Sequence, residues 1–169
     1  MTDRIPTRIP DLTLRFAGPS DVGTVLGFVK ELADYEKLSQ EVVATVDTLR
    51  ASLFEGRRVA EVVLAELAGT PVGFALFFHN FSTFLGRPGI YLEDLYVTPG
   101  MRGKGIGAAL LSFLGRLACE RGCGRLEWAV LDWNEPAITF YKKLGAQAMD
   151  EWTVFRVTGT ALTALAERF

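Results

Sequence analysis

Residues 90–107 read Ile90-Tyr-Leu-Glu-Asp-Leu-Tyr-Val-Thr-Pro-Gly-Met-Arg-Gly-Lys-Gly-Ile-Gly107. The apolar first part predicts a strand over Ile90–Val97, and Pro99-Gly100 ends it. Apolar residues then recur at helical spacing over Gly105–Cys119 and predict a helix. A strand, a glycine-rich turn and a long helix therefore follow one another, and this unit decides the fold.

The glycine-rich turn has the composition of a phosphate-binding loop. Gly103, Gly105 and Gly107 leave backbone N–H groups uncovered at the start of the predicted helix, where the helix dipole is positive. Arg102 and Lys104 add positive charge. Three alternating glycines beside two cations are more than a tight turn requires. The turn therefore predicts a pyrophosphate site.

Two other phosphate motifs do not fit the turn. A Walker loop needs Gly-x4-Gly-Lys-Ser/Thr, but Thr98 stands where its first glycine would be and Lys104 is followed by Gly105. A dinucleotide fingerprint needs Gly-x-Gly-x-x-Gly with an acidic residue about 20 positions further on. Ala108 stands at its third glycine, and no Asp or Glu ends a strand at that distance.

Further strands and helices flank this unit on both sides. The first half has the character of an antiparallel hairpin and the second half has a βαβ order, which favours parallel pairing. We expect an α/β fold, α+β in part, with a central mixed and twisted sheet of about six to seven strands flanked by helices. A loose tail over residues 1–11 precedes a single domain over 12–169. The predicted strands span 12–17, 59–67, 72–78, 90–97, 125–131 and 152–157; the predicted helices span 19–37, 46–55, 105–119, 135–144 and 160–168; an irregular connection spans 79–89.

Composition narrows the class of protein. Hydrophobic residues make up 49% of the 169 positions and charged residues 22%, which is typical of a globular domain. The net charge of −2 argues against nucleic-acid binding. An apolar run long enough to span a membrane and an apolar leader segment are both missing from the sequence. Cys119 and Cys123, with a single histidine at His79, suit neither a disulfide framework nor a structural zinc site, and we expect a cytoplasmic protein.

Several motifs resemble one known family. Arg102-Gly-Lys-Gly-Ile-Gly107 resembles the Arg/Gln-x-x-Gly-x-Gly/Ala acetyl-CoA loop of the GCN5-related N-acetyltransferase (GNAT) superfamily. Four further segments are similar to the diamine (spermidine/spermine) N-acetyltransferase family: Ala33-Asp-Tyr35-Glu36-Lys, Tyr91-Leu-Glu93-Asp94-Leu-Tyr-Val, Leu131-Asp-Trp-Asn134-Glu-Pro-Ala and Phe140-Tyr141-Lys-Lys-Leu-Gly. Phe81-Ser82-Thr83-Phe-Leu-Gly-Arg is similar to the thialysine-acetylating branch. The motifs occur in the family's order and extend over residues 12–165.

The resemblance implies an enzyme that transfers the acetyl group of acetyl-CoA to the primary amine of a small cationic acceptor, by direct attack in a ternary complex. The acceptor would be thialysine, a lysine-like amino acid, a diamine or a polyamine. It also implies a homodimer whose acceptor site lies near the subunit boundary. From the few cysteines and histidines we expect no metal. The alternatives are a protein N-terminal or lysine acetyltransferase and a non-catalytic acyl-CoA-binding regulatory module. The implied cofactor contacts are Leu95, Tyr96, Val97, Arg102, Gly103, Lys104, Gly105, Ile106, Gly107, Asn134, Pro136 and Tyr141.

The transfer requires a group that accepts the proton of the attacking ammonium. Glu93 and Asp94 interrupt an apolar strand, and because neighbours on a strand face opposite sides, only one can easily point at a substrate. Both could instead form a solvated edge pair. The resemblance implies that Glu93 receives the proton through water, that Asp94 has a supporting role, and that a bulge here frees the N–H groups of Leu95 and Val97.

The transfer also requires protonation of the departing thiolate. The resemblance assigns this to Tyr141, although Phe140 and Tyr141 could both simply pack. Asn134 and Pro136 are typical of a helix start. The resemblance implies that Asn134 also binds the pantetheine amide.

Carboxylates and aromatic rings suit a cationic acceptor, and candidates lie on three further segments. Tyr35-Glu36 alone is an ordinary helix terminus, but the family uses this pair on the polyamine. Diamine members carry an acid where Thr83 stands, so a shorter amine with its own carboxylate, such as thialysine, becomes plausible. The candidate acceptor residues are Tyr35, Glu36, Ser82, Thr83, Glu93, Glu127 and Trp128.

Overall fold

A computed structural model describes residues 3–169. The chain divides into two compact units, one up to Ala129 and the other over Val130–Phe169. The first unit contains the whole sheet, and the second contains two helices. Within residues 3–169, the helices are all too short or too polar to cross a membrane.

The described sheet has six strands in the order of the chain: β1 (Ile5–Pro6), β2 (Leu12–Phe16), β3 (Glu61–Leu67), β4 (Thr70–Ser82), β5 (Arg87–Val97) and β6 (Leu126–Trp128). Neighbours are antiparallel except β5 and β6, which are parallel. The mixed sheet that the sequence predicts is therefore confirmed. The helices of the first unit are α1 (Val22–Tyr35), α2 (Val46–Phe54) and α3 (Ile106–Glu120); those of the second are α4 (Glu135–Lys143) and α5 (Gly159–Ala166).

Helices cover both faces of the sheet. On one face α1 and α2 pack over β3, β4 and β5, and the Phe28 ring lies 5.7 Å from that of Phe74 and 6.0 Å from that of Tyr96. On the other face α3 contacts β3, β4 and β5 through buried residues such as Leu110 and Leu114. The sheet has two apolar faces because successive side chains along a strand point to opposite sides.

The structure corrects the predicted connection over residues 79–89. β4 continues to Ser82 and β5 begins at Arg87, so these residues form the outer part of a long hairpin. Asn80 pairs with Gly89, where a Cβ would lie 2.4 Å from the Asn80 side-chain oxygen, so glycine permits the pairing. The aromatic residues of this segment favour strands, and the prediction of an irregular connection did not take this into account.

Three other boundaries differ from the predictions. Ile5–Pro6, in the predicted tail, pairs with β2. The strand predicted over 125–131 is reduced to Leu126–Trp128. The strand predicted over 152–157 is wrong, because the second unit has no strand with which this exposed segment could pair.

A buried ionic network fixes the start of α1. The Arg15 guanidinium donates to Glu66 at 2.8 Å and to both oxygens of Asp21 at 2.7 and 2.9 Å. Arg15 holds the pKa of Asp21 below its ordinary value. The network joins β2, β3 and the turn Pro19–Asp21, and so it sets the position from which α1 runs towards Tyr35.

Candidate functional site

The glycine-rich loop adopts a backbone that only glycine accepts readily. β5 ends at Val97, a single helical turn spans Pro99–Met101, and α3 begins at Ile106. Gly103 and Gly105 have φ angles of 75° and 83°, in the left-handed region. A Cβ on Gly103 would meet no atom within 4 Å, so its backbone conformation rather than space requires glycine.

The N-terminus of α3 is built to bind an anion. The first helical hydrogen bond runs from the Ala109 N–H to the Gly105 carbonyl at 2.9 Å, so the three preceding N–H groups have no acceptor within the helix. Gly105, the capping residue, has no side chain that could accept from them. The helix dipole adds positive potential at the same end. The loop therefore suits a diphosphate, as the sequence predicts.

A β-bulge lies in β5 at Glu93. Phe77 of β4 pairs with Leu92, and its neighbour Leu76 pairs with Asp94. Glu93 is thus an extra residue without a partner on β4. This is the bulge that the family resemblance implies and that the sequence pattern did not reveal.

The bulge brings two carboxylates to one face of the sheet. Cross-strand partners share a face, and Leu76 packs against the core beneath α1 and α2, so Asp94 points there too. Glu93 follows Leu92, which shares the opposite face with Phe77, and strand alternation therefore also turns Glu93 towards α1. The expectation that only one of Glu93 and Asp94 can face a substrate is wrong, because the bulge interrupts the alternation.

Glu36, Glu93 and Asp94 form what we call the carboxylate cluster. Burial, followed by the like charges of Glu93 and Glu36, raises the pKa of Asp94 to about 6. Burial also raises the pKa of Glu36. Like charges held together disfavour their own ionisation and favour a bound cation. The cluster can therefore attract a cation, and the charge of Asp94 depends on pH around its raised pKa of about 6.

The end of α1 fixes Glu36 and its neighbour Tyr35. Lys37 adopts a left-handed conformation with φ 61°. The N–H groups of Lys37 and Leu38 donate to the carbonyls of Asp34 at 3.2 Å and Ala33 at 2.8 Å. This is a Schellman arrangement, which closes the last helical turn. It holds the Tyr-Glu pair in a defined position.

Arg102 reaches from the loop to the end of α1. Its guanidinium carbon lies 4.5 Å from the centre of the Tyr35 ring and 5.5 Å from that of Tyr96, and its Nε donates to the Val97 carbonyl at 2.9 Å. The Tyr96 hydroxyl donates to Glu31 at 2.8 Å. Sequence reasoning missed Glu31, for which the only signal is its place one helical turn before Tyr35.

Two backbone N–H groups of β5 point away from β4. The Thr98 N–H donates to Val72 of β4 at 3.0 Å. Because donors alternate along an antiparallel strand, the Tyr96 N–H also faces β4, whereas those of Leu95 and Val97 face the other edge. There β6 pairs only with Ile90–Leu92. Because the pairing with β6 ends at Leu92, Leu95 and Val97 have no ladder partner on β6. Tyr96, by contrast, is engaged through both its hydroxyl and its backbone.

Ser82 and Thr83 lie at the tip of the β4–β5 hairpin. Ser82 is buried, and its hydroxyl accepts the Leu85 N–H at 3.2 Å, so it holds the turn. Glu93 is six residues along β5 from Arg87, the partner of Ser82. At the usual strand rise this is about 20 Å. Within one chain, the structure does not bring these two predicted acceptor residues to the carboxylate cluster.

Glu127 and Trp128 lie on opposite faces of the sheet. Glu127 pairs with Tyr91 and therefore shares its face, whereas Trp128 pairs with Leu92 and shares the face of α3. The Glu127 carboxylate accepts from Asn80 at 2.7 Å and pairs with Arg125 at 2.8 Å. Glu127 is thus on the side of Glu93 but already neutralised, and Trp128 is on the other side.

The second unit contains the remaining predicted residues. Asn134 is buried, and its side-chain oxygen accepts the Ala137 N–H at 3.3 Å, so the predicted cap of α4 is confirmed. Pro136 lies in the first turn of α4. The rings of Phe140 and Tyr141 lie 5.3 Å apart, and both side chains are half-buried.

Among residues 3–169, no three His, Cys, Asp or Glu side chains are grouped as metal ligands would be. The candidate site offers carboxylates, phenols and backbone amides. These groups can bind an anion at the loop and a cation at the carboxylate cluster.

Known proteins are similar to this chain in sequence and in fold. The model of the acetyltransferase (GNAT) family matches residues 23–146. The thialysine N-epsilon-acetyltransferase of Bos taurus is 40% identical over 164 residues, covering 90% of this chain and 96% of that protein. The L-ornithine N5-acetyltransferase of Arabidopsis thaliana is 32% identical over 197 residues, covering 90% of this chain and 86% of that protein. In three dimensions, an integron cassette protein of V. cholerae matches with a TM-score of 0.79 and 27% identity, covering 93% of this chain and 98% of that one.

Replacing Gly103 tests the anion site. Gly103→Ala is expected to weaken coenzyme A binding at least about tenfold, because alanine disfavours the left-handed backbone that aims the loop amides. Gly115→Ala, within α3 and with open space around the new methyl group, is the matched control. It should leave binding unchanged. Isothermal titration calorimetry measures both, and equal affinities for the two variants would contradict the assignment of the loop.

Replacing Asp94 tests the carboxylate cluster. Asp94 is neutral below pH 6 and negative above it, so binding of a small ammonium compound such as L-lysine should tighten several-fold as pH rises from about 5 to about 7.5. Lysine keeps its side-chain charge throughout this range. Asp94→Asn should remove most of the dependence, whereas the exposed Asp150→Asn should keep it. An unchanged pH profile in Asp94→Asn would show that the cation binds elsewhere.

Proposed function

The chain belongs to the acetyltransferase (GNAT) family and is an N-acetyltransferase, and we propose that it transfers the acetyl group of acetyl-CoA to the side-chain amine of a small amino acid of the thialysine, lysine or ornithine type. The family match at 23–146 extends over both compact units, which supports a single acetyltransferase domain over residues 12–169. The observation that carries the choice of a cationic acceptor is the carboxylate cluster.

The phosphate loop is proposed to hold the diphosphate of acetyl-CoA. The bare amides at the start of α3 and the charges of Arg102 and Lys104 support this role, and they recognise an anion without regard to the acyl group. Gly103, Gly105, Ile106 and Gly107 contribute backbone only. The outward N–H groups of Leu95 and Val97 are suited to donate hydrogen bonds to the pantetheine arm and to the thioester carbonyl. Asn134, Pro136 and Tyr141 are proposed as further contacts of the cofactor.

Glu93 is proposed to receive the proton of the acceptor amine through a water molecule. The free amine then attacks the thioester carbonyl and the C–N bond forms. The C–S bond breaks as the nitrogen releases its second proton to solvent, and Glu93 returns its own proton to solvent after the reaction. Tyr141 donates its proton to the departing sulfur of coenzyme A, and the phenolate regains a proton from solvent. Asp94 and Glu36 are proposed to attract the ammonium before its proton is lost, and Tyr35 to offer its ring to the same cation.

A short acceptor fits the described residues better than a polyamine. Thr83 stands where diamine members have an acid, and it lies about 20 Å along the hairpin from the cluster. The charge of Glu127 is already paired with Arg125. The other carboxylates among the candidate acceptor residues, those of Glu36 and Glu93, act together on Asp94, and one such cluster suits one ammonium group. The thialysine and ornithine acetyltransferases named among the relatives support the same choice.

We also propose a cytoplasmic homodimer. Cys119 and Cys123 are both free in the structure, as suits a reducing compartment. Val154 and Phe155 are 85% and 90% exposed in a segment of the second unit without regular secondary structure. Exposed apolar side chains of this kind are suited to contact another chain. A second copy of this chain is the proposed partner.

A thiol-release assay with acetyl-CoA tests the acceptor. We expect thialysine, lysine or ornithine to give the highest kcat/KM in a panel that also contains spermidine, an aminoglycoside and a peptide with a free N-terminus. Spermidine as the best substrate would make the enzyme a polyamine acetyltransferase. Acetylation of the peptide alone would make it a protein acetyltransferase, and coenzyme A binding without any transfer would make it a binding module. Each of these three results contradicts the proposal.

In the same assay, Glu93→Gln and Tyr141→Phe should each lower kcat by about 100-fold or more, with coenzyme A affinity within about twofold of the wild type. If Tyr141→Phe left turnover unchanged at every pH, another group would have to protonate the sulfur.

Replacing Val154 tests the dimer. Val154→Lys should shift the protein from twice the chain mass towards the monomer in sedimentation equilibrium, because it places a charge in the proposed contact. Val43→Lys is the matched control, since Val43 is 86% exposed in the connection before α2. It should leave the mass unchanged. A wild-type protein that sediments as a monomer would contradict the proposal.

A further inference from the structure

Arg102 stands at the junction of the two binding regions of the first unit. It begins the phosphate loop, where its charge is expected to meet a diphosphate. Its side chain nevertheless folds back, with Nε on the Val97 carbonyl and the guanidinium over the Tyr35 ring. The same guanidinium lies within 5.5 Å of the Tyr96 ring centre. Arg102 is thus part of the anion-binding loop in the sequence, whereas its guanidinium lies at the end of α1.

The ring beneath Arg102 is the one proposed to meet the acceptor. Tyr35 immediately precedes Glu36, whose charge acts on Asp94 in the carboxylate cluster. An aromatic face attracts a single cation, whether a guanidinium or an ammonium. The Arg102 guanidinium therefore lies over the same ring face that we propose for the ammonium of the acceptor.

The surroundings of Tyr96 strengthen this contact. Its hydroxyl is held by Glu31 of α1, and the nearby charge of Arg102 acts on the same phenol, lowering its pKa against the larger upward effect of burial. Arg102 is therefore attracted towards α1 by two aromatic rings. A diphosphate carries full negative charges and pairs with a guanidinium more strongly than an aromatic ring does.

We propose that Arg102 couples the two ligands: the diphosphate of acetyl-CoA draws its guanidinium from Tyr35 to the loop and thereby opens the ring to the acceptor amine. Acetyl-CoA binding then strengthens amine binding, and by linkage the amine strengthens coenzyme A binding by the same factor. Arg102 is a positioning residue in this scheme, because it does not touch the reacting atoms. The inference rests on the proposed acceptor site at Tyr35 and the carboxylate cluster.

Calorimetry of the full-length protein tests the coupling without turnover, with coenzyme A and L-lysine as ligands. The wild type should bind lysine at least about fivefold more tightly when coenzyme A is saturating. Arg102→Met should bind lysine equally well with and without coenzyme A, near the tighter wild-type value. It should also bind coenzyme A more weakly, because it lacks the charge. A coupling factor in Arg102→Met equal to that of the wild type would overturn the proposal, as would a wild type without coupling.

Two variants separate this effect from a general loss of charge or fold. Lys104→Met removes the other loop cation, whose Nζ lies 3.5 Å from the Met101 sulfur, and should weaken coenzyme A binding while keeping the coupling. Tyr35→Phe keeps the ring and should keep the coupling, whereas Tyr35→Leu should lose it. Loss of coupling in Lys104→Met as well would mean that loop charge alone is responsible, which also overturns the role of Arg102.

The outcome is distinguishable from failure of the proposed function. If the wild type acetylates lysine-type amines but Arg102→Met keeps the coupling, only the inference about Arg102 fails. If the wild type neither binds nor acetylates any such amine, the acceptor proposal fails and the coupling fails with it.

Discussion

The bulge at Glu93 is the constraint from which the candidate site follows. A regular β5 would place Asp94 on the face of Leu92, beneath α3, and would bury a carboxylate among apolar side chains at high cost. The extra residue turns Asp94 towards α1 and places it beside Glu93 and Glu36. The core residues on either side of the bulge, Leu92 and Tyr96, both remain buried, each on its own face. One inserted residue thus allows β5 to continue as a core strand while its carboxylates lie outside the apolar layer beneath α3.

The same strand also connects the cation site to the anion site. From Glu93, β5 runs to Val97, and the glycine loop begins a few residues later. Because β4 holds one edge of this segment, its free amides can only face the other edge, where β6 has diverged. The strand therefore orients three features: the carboxylates on its face, the amides at its edge, and the loop at its end. Arg102 of the loop also contacts Tyr35, the neighbour of Glu36 in the carboxylate cluster.

The sequence predicts those parts of the structure that depend on local chemistry. The glycines of the loop, the start of α3 and the Asn134 cap each have a physical signature within a few residues. The order of elements also predicts the mixed sheet, but several other features that depend on distant residues were mispredicted or came only from the resemblance. Neither the extension of the hairpin through Asn80 and Gly89 nor the failure of a strand at 152–157 can be read from its own segment, because both depend on whether a partner strand is available. The bulge has no composition signal either, since it is a property of the register between two strands.

Charge explains why such a site can discriminate among amines. Burial, followed by the like charges of Glu93 and Glu36, makes ionisation of Asp94 costly, and the raised pKa of Asp94 is the result. A bound ammonium relieves this repulsion, so the protein itself gains when the acceptor is cationic. A neutral amine would bring no such relief, although only a neutral amine can attack the thioester. In the proposed reaction, the cluster attracts the charged form and a carboxylate then receives its proton. The bulge supports this proposal, because it turns both Glu93 and Asp94 to one face.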